Sequence, residues 1–310
     1  EMKIGLIAHP EELTKGEIAA FRAAGADVLG LHPVGGNKAT SSLENLLIWL
    51  KTDKGRRLLS YARSLGLEIE YEMHAASFLV PREMFSSHPE YFREANGVRT
   101  NDYNFCVSSD EMLRTVANRA AELVSKLDYS SHDYYLWQDD AENSRCECEK
   151  CRTLSASDQS LIVANAIADE LRRFDSSARV CYLAYLGTLT PPKSVKPAPG
   201  VFLEYAPMKR DRSIPVWEDE TVKRELDALF TVFEPGEAKI LEYWYDNSMF
   251  SNWKKPPKKF TPDNERIAKE IDFYRSLGVG NVTSFACYFG ADYEALYGAP
   301  DFSAVKSAKR

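Results

Sequence analysis

The chain has 310 residues, of which 44% are hydrophobic and 27% charged, so it can bury a large core and fits one barrel-sized domain spanning 1–310. Its 39 basic and 46 acidic residues give a formal charge of -7, and no basic run is long enough to track a phosphate backbone, which argues against a nucleic-acid partner. No apolar run approaches the roughly 20 residues that cross a bilayer, so no membrane span is expected. The compartment is open: removal of a leader ahead of residue 1 would make the protein periplasmic or secreted.

In chain order, Lys3–Pro10 predicts a strand, Glu12–Ala24 a helix closed by Gly25, and Asp27–Pro33 a second strand. Ser42–Leu65 predicts one or two helices ending at Gly66, before a third strand at Leu67–Ala75. Residues 76–108 carry Pro81, Pro89 and Gly97 and predict a short helix and an excursion, followed by a helix at Asp110–Leu127. Tyr134–Asp140 predicts strand four, Gln159–Phe174 its helix, and Arg179–Tyr185 strand five. Strands six, seven and eight are expected at Val201–Ala206, Lys239–Asp246 and Val282–Phe289, with helices within Trp217–Phe233 and at Asp263–Leu277. Eight strands alternating with helices in this length favour a closed (β/α)₈ barrel, a TIM barrel. Neither a G-x-G-x-x-G nor a P-loop motif supports the open nucleotide-binding sheet.

In a barrel of this kind chemistry belongs at the C-terminal ends of the strands. The expected rim therefore includes His9, His32, His74, Tyr185, Tyr205, Asp246 and Tyr288, with Trp244, Tyr245 and Trp253 offering flat faces on which sugar rings stack. The sharpest local feature is Trp137-Gln138-Asp139-Asp140-Ala141-Glu142. Two neighbouring carboxyl groups on a desolvated rim resist joint ionisation, so one can stay protonated and act as an acid, the requirement for glycoside cleavage. Capping a helix or pairing with an arginine is the competing role. Glu142 is the next carboxyl in reach. Arg210 and Arg212 either clamp an acidic or hydroxylated substrate or are solvated loop charges.

Cys146-x-Cys148-x-x-Cys151 follows directly, and Cys106 in the preceding connection would complete a four-thiolate, structural zinc site. Two disulfides or free thiols are the alternatives, and Cys181 and Cys287 read as core residues.

His88-Pro89-Glu90-Tyr91-Phe92, Asn104-Phe105-Cys106, Asp140 with the cysteine motif, Tyr182-Leu183-Ala184-Tyr185 with Pro191-Pro192, Glu242-Tyr243-Trp244-Tyr245 and Phe273-Tyr274-Arg275-Ser276-Leu277-Gly278-Val279 resemble, in that order, the family called domain of unknown function 4838. The resemblance implies a barrel related to glycoside hydrolases, including the family 163 endo-β-N-acetylglucosaminidases, and a carbohydrate partner. Asp139-Asp140 is also similar to the acidic pair of hexosaminidases, which use the substrate's acetamido group as nucleophile. That similarity implies that Asp139 orients the acetamido group while Asp140 protonates the leaving oxygen and then activates water. A barrel that binds glycan without turnover, or that acts on another sugar such as a uronic acid glycoside, is the alternative.

Overall fold

The computed structural model describes residues 2–308. Eight parallel strands close on themselves. They are β1 (Lys3–Ala8), β2 (Val28–Leu31), β3 (Glu68–His74), β4 (Asp133–Trp137), β5 (Arg179–Ala184), β6 (Val201–Tyr205), β7 (Lys239–Glu242) and β8 (Asn281–Phe285). Closure is made by β1 against β8, with Lys3 opposite Asn281 and Ile7 opposite Phe285. All eight expected strands are present, and each begins within two residues of its expected start; β4, β7 and β8 end three to four residues sooner than the sequence implied.

The helices start where side-chain caps satisfy free N–H groups. Thr14 accepts from the Glu17 amide at the head of α1 (Lys15–Ala23), and Ser155 and Asp158 form a reciprocal capping box at the head of the Ala156–Phe174 helix. Between β3 and β4 the chain makes the expected excursion, a short helix (Ala76–Leu79) followed by a hairpin of Glu94–Ala95 against Val98–Arg99. Asn96 and Gly97 turn that hairpin with φ of 51° and 78°, conformations suited to an Asn-Gly pair. Two helices after β8 were not expected: Ala291–Tyr297 and Ser303–Ala308, the latter packed on the Asn264–Ser276 helix through buried Ala304 and Val305. No described helix is long and apolar enough to cross a membrane.

Inside the barrel the core is charged as well as apolar. Lys239 on β7 points inward and its ammonium lies 2.8 Å from Glu70 and 2.6 Å from Glu72, both on β3, and 3.8 Å from Glu204 on β6. The Tyr135 ring on β4 approaches the same ammonium at 4.0 Å. Burial opposes the lysine charge, but the three carboxyl groups outweigh it and its pKa is raised. Burial also raises Glu72 and Glu204, with repulsion from Glu70 adding to the first and repulsion from Glu72 to the second, so protons are retained within this cluster.

β4 and β5 pair only at Asp133–Arg179 and Tyr134–Val180 and then separate. The Gln138 side chain spans the gap, donating to the Leu183 carbonyl at 3.2 Å. A cavity of about 410 Å³ opens there, behind the main barrel mouth.

Removing the central ammonium leaves buried carboxyl groups unpaired, so Lys239→Met is expected to cost about 3–5 kcal/mol in urea unfolding. Adding Glu72→Gln should recover part of the loss. A Lys239→Met midpoint equal to wild type would show that the cluster carries no stability.

Candidate functional site

The C-terminal ends of the strands surround a cavity of about 790 Å³, a size typical of ligand sites. Its floor is apolar and aromatic, formed by Trp137, Leu183, Leu241 and Phe285. The Trp137 indole is fixed from below by donating to Glu204 at 2.6 Å, which links the cavity floor to the charged cluster.

His9, His32 and His74 end β1, β2 and β3 and form one row along the wall, with ring centroids 5.7 Å and 6.2 Å apart. Each Nδ1 meets a backbone carbonyl: His9 that of His32 at 2.8 Å, His32 that of Glu72 at 2.8 Å, His74 that of Gln138 at 2.6 Å. A carbonyl only accepts, so Nδ1 carries the proton in all three, and in a neutral ring Nε2 is left as an acceptor. Burial, with the neighbouring His9 and His74, holds the His32 pKa well below its ordinary value, so this ring stays neutral. Gly35 permits the row to close: a Cβ there would come within 2.6 Å of the His74 ring.

Five acids line this cavity, Glu11, Glu12, Asp140, Asp246 and Asp292; Asp140 follows β4 and Asp246 follows β7, three strands apart in the barrel. Asp140 is exposed and accepts from the Tyr185 hydroxyl at 2.7 Å. Asp246 is buried and caps the short Asn247–Phe250 helix; the bonds it accepts from the Ser248 amide, the Ser248 hydroxyl and the Met249 amide all fall on Oδ1. Burial raises its pKa, an effect that these bonds and His9 only partly offset. Tyr288 lines the cavity beside His9, their ring centroids 6.3 Å apart, with its own ring 4.1 Å from the Lys255 ammonium and its amide donating to Glu12 at 2.9 Å.

Several expected rim residues lie elsewhere. Asp139 is turned away from this cavity and borders the smaller one; its Oδ2 pairs with Arg82 and accepts from the Asn104 amide at 2.8 Å, while its own amide donates to the Asn104 side chain at 2.8 Å. The adjacent pair therefore does not share one pocket, because the Arg82 charge and a two-way amide lock hold one member in the excursion. Glu142 is exposed, pairs with Lys209 and lines neither cavity. Tyr205 points outward and donates to Glu225 at 2.6 Å. Trp244 donates to Glu270 at 2.6 Å, and Tyr245 packs on Phe302 at 5.0 Å, both outside the barrel wall because β7 ends at Glu242. Arg210 is neither clamp nor solvated: it is buried between Glu242 at 3.0 Å and Glu270 at 2.5 Å. Arg212 lies over the Tyr243 ring at 5.1 Å and donates to the Met208 carbonyl at 2.6 Å.

The sequence reading did not single out Glu12, Lys255 and Asp292 as one network, yet Lys255 pairs with both acids at 2.8 Å across 243 and 37 residues. No local spacing encodes such a contact.

The four cysteines converge as expected. The Cys106, Cys146, Cys148 and Cys151 sulfurs lie within 4.8 Å of one another, all buried, and among the described residues this is the only group placed to hold a metal ion. Cys106 is 3.7 Å from Cys148 and 3.9 Å from Cys151, near the roughly 3.8 Å edge of a tetrahedron with metal–sulfur bonds of about 2.3 Å, and the thiols are free, not joined as disulfides. The Glu94 amide donates to the Cys146 sulfur at 3.3 Å, as amides do toward thiolate ligands. The cluster can bind a metal such as zinc. Cys181 and Cys287 are buried in strand and rim positions as core residues.

Solved structures with the same fold include family 5 glycoside hydrolases. A xyloglucan-specific endo-β-1,4-glucanase from a metagenomic library, solved with cellotriose, matches with a TM-score of 0.52 at 10% identity, covering 96% of this chain and 88% of that one. The family 5 xyloglucanase from Paenibacillus pabuli gives 0.53 at 8% identity, over 96% and 90% of the two chains. The broad-specificity endoglucanase from Clostridium acetobutylicum gives 0.50 at 11%, over 96% and 90%. Identities this low establish the (β/α)₈ fold and leave the substrate to be argued from the site. No curated protein matches the chain in sequence. The model of one family covers residues 48–296, most of the barrel, and by that match the chain belongs to the domain of unknown function family DUF4838.

Proposed function

We propose that the protein is a glycoside hydrolase, and that its substrate is a β-linked N-acetylhexosamine of the N-glycan type, the class implied by the resemblance to family 163 enzymes. The observation that carries the hydrolase reading is the pairing in one cavity of a buried and an exposed carboxyl group, Asp246 and Asp140, above an aromatic floor. Glycoside cleavage needs one carboxyl group that keeps its proton and one that does not.

Asp246 is the proton donor. Its Oδ1 is committed to the helix cap, which leaves Oδ2 to carry the proton to the leaving oxygen. Asp140, held by the Tyr185 hydroxyl, orients and polarises the acetamido group whose carbonyl oxygen closes on the anomeric carbon. Asp246, now ionised, takes a proton from the water that opens the cyclised intermediate. These assignments move each role one residue set along from the adjacent-pair expectation, since Asp139 is clamped by Arg82. In the histidine row, His32, held neutral by burial, supplies an Nε2 acceptor for a sugar hydroxyl, with Tyr243, Phe285 and Trp137 against the ring faces.

A uronic acid glycoside is the second reading. It is favoured by Lys38 and Lys54, which line the same cavity and have no carboxylate partner among the described residues. Aryl β-N-acetylglucosaminide, aryl β-glucuronide and intact N-glycans, read by mass spectrometry, separate the two; absence of any product would leave a glycan-binding barrel.

On a confirmed substrate, Asp246→Asn should lower turnover of poor leaving groups by roughly 10²–10⁴-fold and activated aryl glycosides less. The donor works only while protonated, so wild-type rates should fall as pH rises through the Asp246 pKa, which burial holds above the ordinary aspartate value, and the variant should lose that limb. Asp140→Asn should slow both substrate types together. Asp139→Asn should instead lower the melting temperature by loosening the Arg82 clamp; a loss of turnover in Asp139→Asn larger than in Asp246→Asn would reject this assignment.

The four-cysteine cluster is proposed to hold structural zinc, which would supply folding energy and no open coordination position for catalysis. Purified protein should contain about one zinc per chain by elemental analysis, and a chelator should lower its melting temperature. Metal-free protein that melts at the same temperature as the purified form would remove zinc from the account.

A further inference from the structure

Trp253 is the feature of the cavity that cleavage at a single sugar does not use. It lines the cavity yet is 60% exposed, and among the described residues its indole pairs with no other ring and donates no hydrogen bond. Exposed tryptophan carries a large apolar face that water solvates poorly, and a face left bare beside a ligand cavity is placed to gain by covering.

The backbone beneath it is strained. Asn252 and Trp253 have consecutive φ of 52° and 53°, the left-handed region, which a bulky residue enters at a cost of about 1–3 kcal/mol. The turn is held there by the Trp253 amide donating to the Ser248 carbonyl at 2.7 Å and by the Lys258 amide donating to the Ser251 hydroxyl at 2.9 Å. On the adjacent loop, after β8, Tyr288 is also left-handed at 68° and is fixed by Lys255 and Glu12. Two neighbouring loops therefore each hold an aromatic residue in a disfavoured conformation on the same cavity rim. Such strain persists only where surrounding bonds impose it, and here those bonds hold both rings on the cavity lining.

We propose that Trp253 is a stacking platform for a sugar unit beyond the cleavage point, with Tyr288 the inner member of the same track, so that the site takes an oligosaccharide chain and not an isolated sugar. This rests on the glycoside reading of the cavity and adds the length of the substrate to it. The indole binds the apolar face of a pyranose ring, and the outer sugars contribute affinity that a short glycoside cannot reach. Stacking of this kind discriminates by ring face and length, and weakly by the identity of individual hydroxyl groups.

The test is equilibrium binding by calorimetry of β-1,4-linked N-acetylglucosamine oligomers and of cello-oligosaccharides, each from the disaccharide to the hexasaccharide, to wild type, Trp253→Ala and Trp253→Phe. In wild type, affinity should rise with length; in Trp253→Ala the hexasaccharide should weaken roughly five- to tenfold, the loss of one aromatic contact, and the ratio of long to short affinities should fall toward one. Trp253→Phe should keep most of the length dependence, and equal melting temperatures for the three proteins exclude misfolding. Length-dependent, Trp253-dependent binding without turnover would sustain the platform and overturn the hydrolase assignment. Turnover with affinity independent of length, or with the same length dependence in Trp253→Ala, would overturn the platform and leave the hydrolase standing, and failure of every oligomer to bind would overturn the platform outright.

Discussion

A single ammonium group inside the barrel joins the parts that the site is built on. Lys239 from β7 reaches carboxyl groups on its neighbour β6 and on β3, which is not its neighbour in the sheet, so the barrel is tied through its centre. Charges in such a place attract strongly because little water screens them, and they are costly for the same reason if any partner is missing. The registers of β3, β6 and β7 are thereby coupled, since a one-residue slip would turn Glu72, Glu204 or Lys239 out of the barrel. The coupling extends upward: Glu204 holds the Trp137 indole, and Trp137 is both the cavity floor and the last residue of β4 before Gln138-Asp139-Asp140. Where Asp140 emerges is set by the charged layer below it.

From above, the same segment is held by the excursion between β3 and β4. Asn104 exchanges hydrogen bonds with Asp139 and donates to Ser144 at 2.8 Å, and Cys106, two residues on, meets Cys148 and Cys151. Gln159, in the first turn of the Ala156–Phe174 helix, accepts from the Cys146 amide at 2.8 Å and donates to the Cys151 carbonyl at 3.2 Å. A loop of 18 residues with no regular structure, from Gln138 to Ser155, is thus fixed by polar side chains and sulfur. Asp139 and the cysteines act together as a brace, and the acid next to them is the one left free to face the cavity.

Much of this was legible in the sequence, and the failures have physical causes. The eight strands followed from alternation with amphipathic helices, and the cysteine quartet from the density of thiols around one loop. Which of Asp139 and Asp140 faces the pocket was not legible, because the choice is made by Arg82 and Asn104, 57 and 35 residues away. Tyr205 was placed on the rim against a signal that was available: side chains alternate along a strand, so with Glu204 inward Tyr205 must point outward. Trp244 and Tyr245 were misplaced because alternation was carried past Glu242, where the strand stops and Asp246 caps a short helix. The buried Lys239 and its three glutamates were not singled out, since a carboxyl in a strand does not announce that its face is the closed one.

The two acids assigned to the proposed reaction lie on separate loops, one after β4 and one after β7. Asp140 and Asp246 are placed in different surroundings, the first exposed beside a tyrosine hydroxyl and the second buried against a helix cap. Burial can then raise one without touching the other, and the difference does not depend on the two being close. The histidine row follows the same logic. Its backbone carbonyl partners fix the tautomer, and burial keeps His32 uncharged, so that ring presents an acceptor that does not compete with the acids for protons. In the proposed site the recognition of hydroxyls falls to ring nitrogens and aromatic faces, while Lys38, Lys54 and Lys255 add positive charge to the same lining.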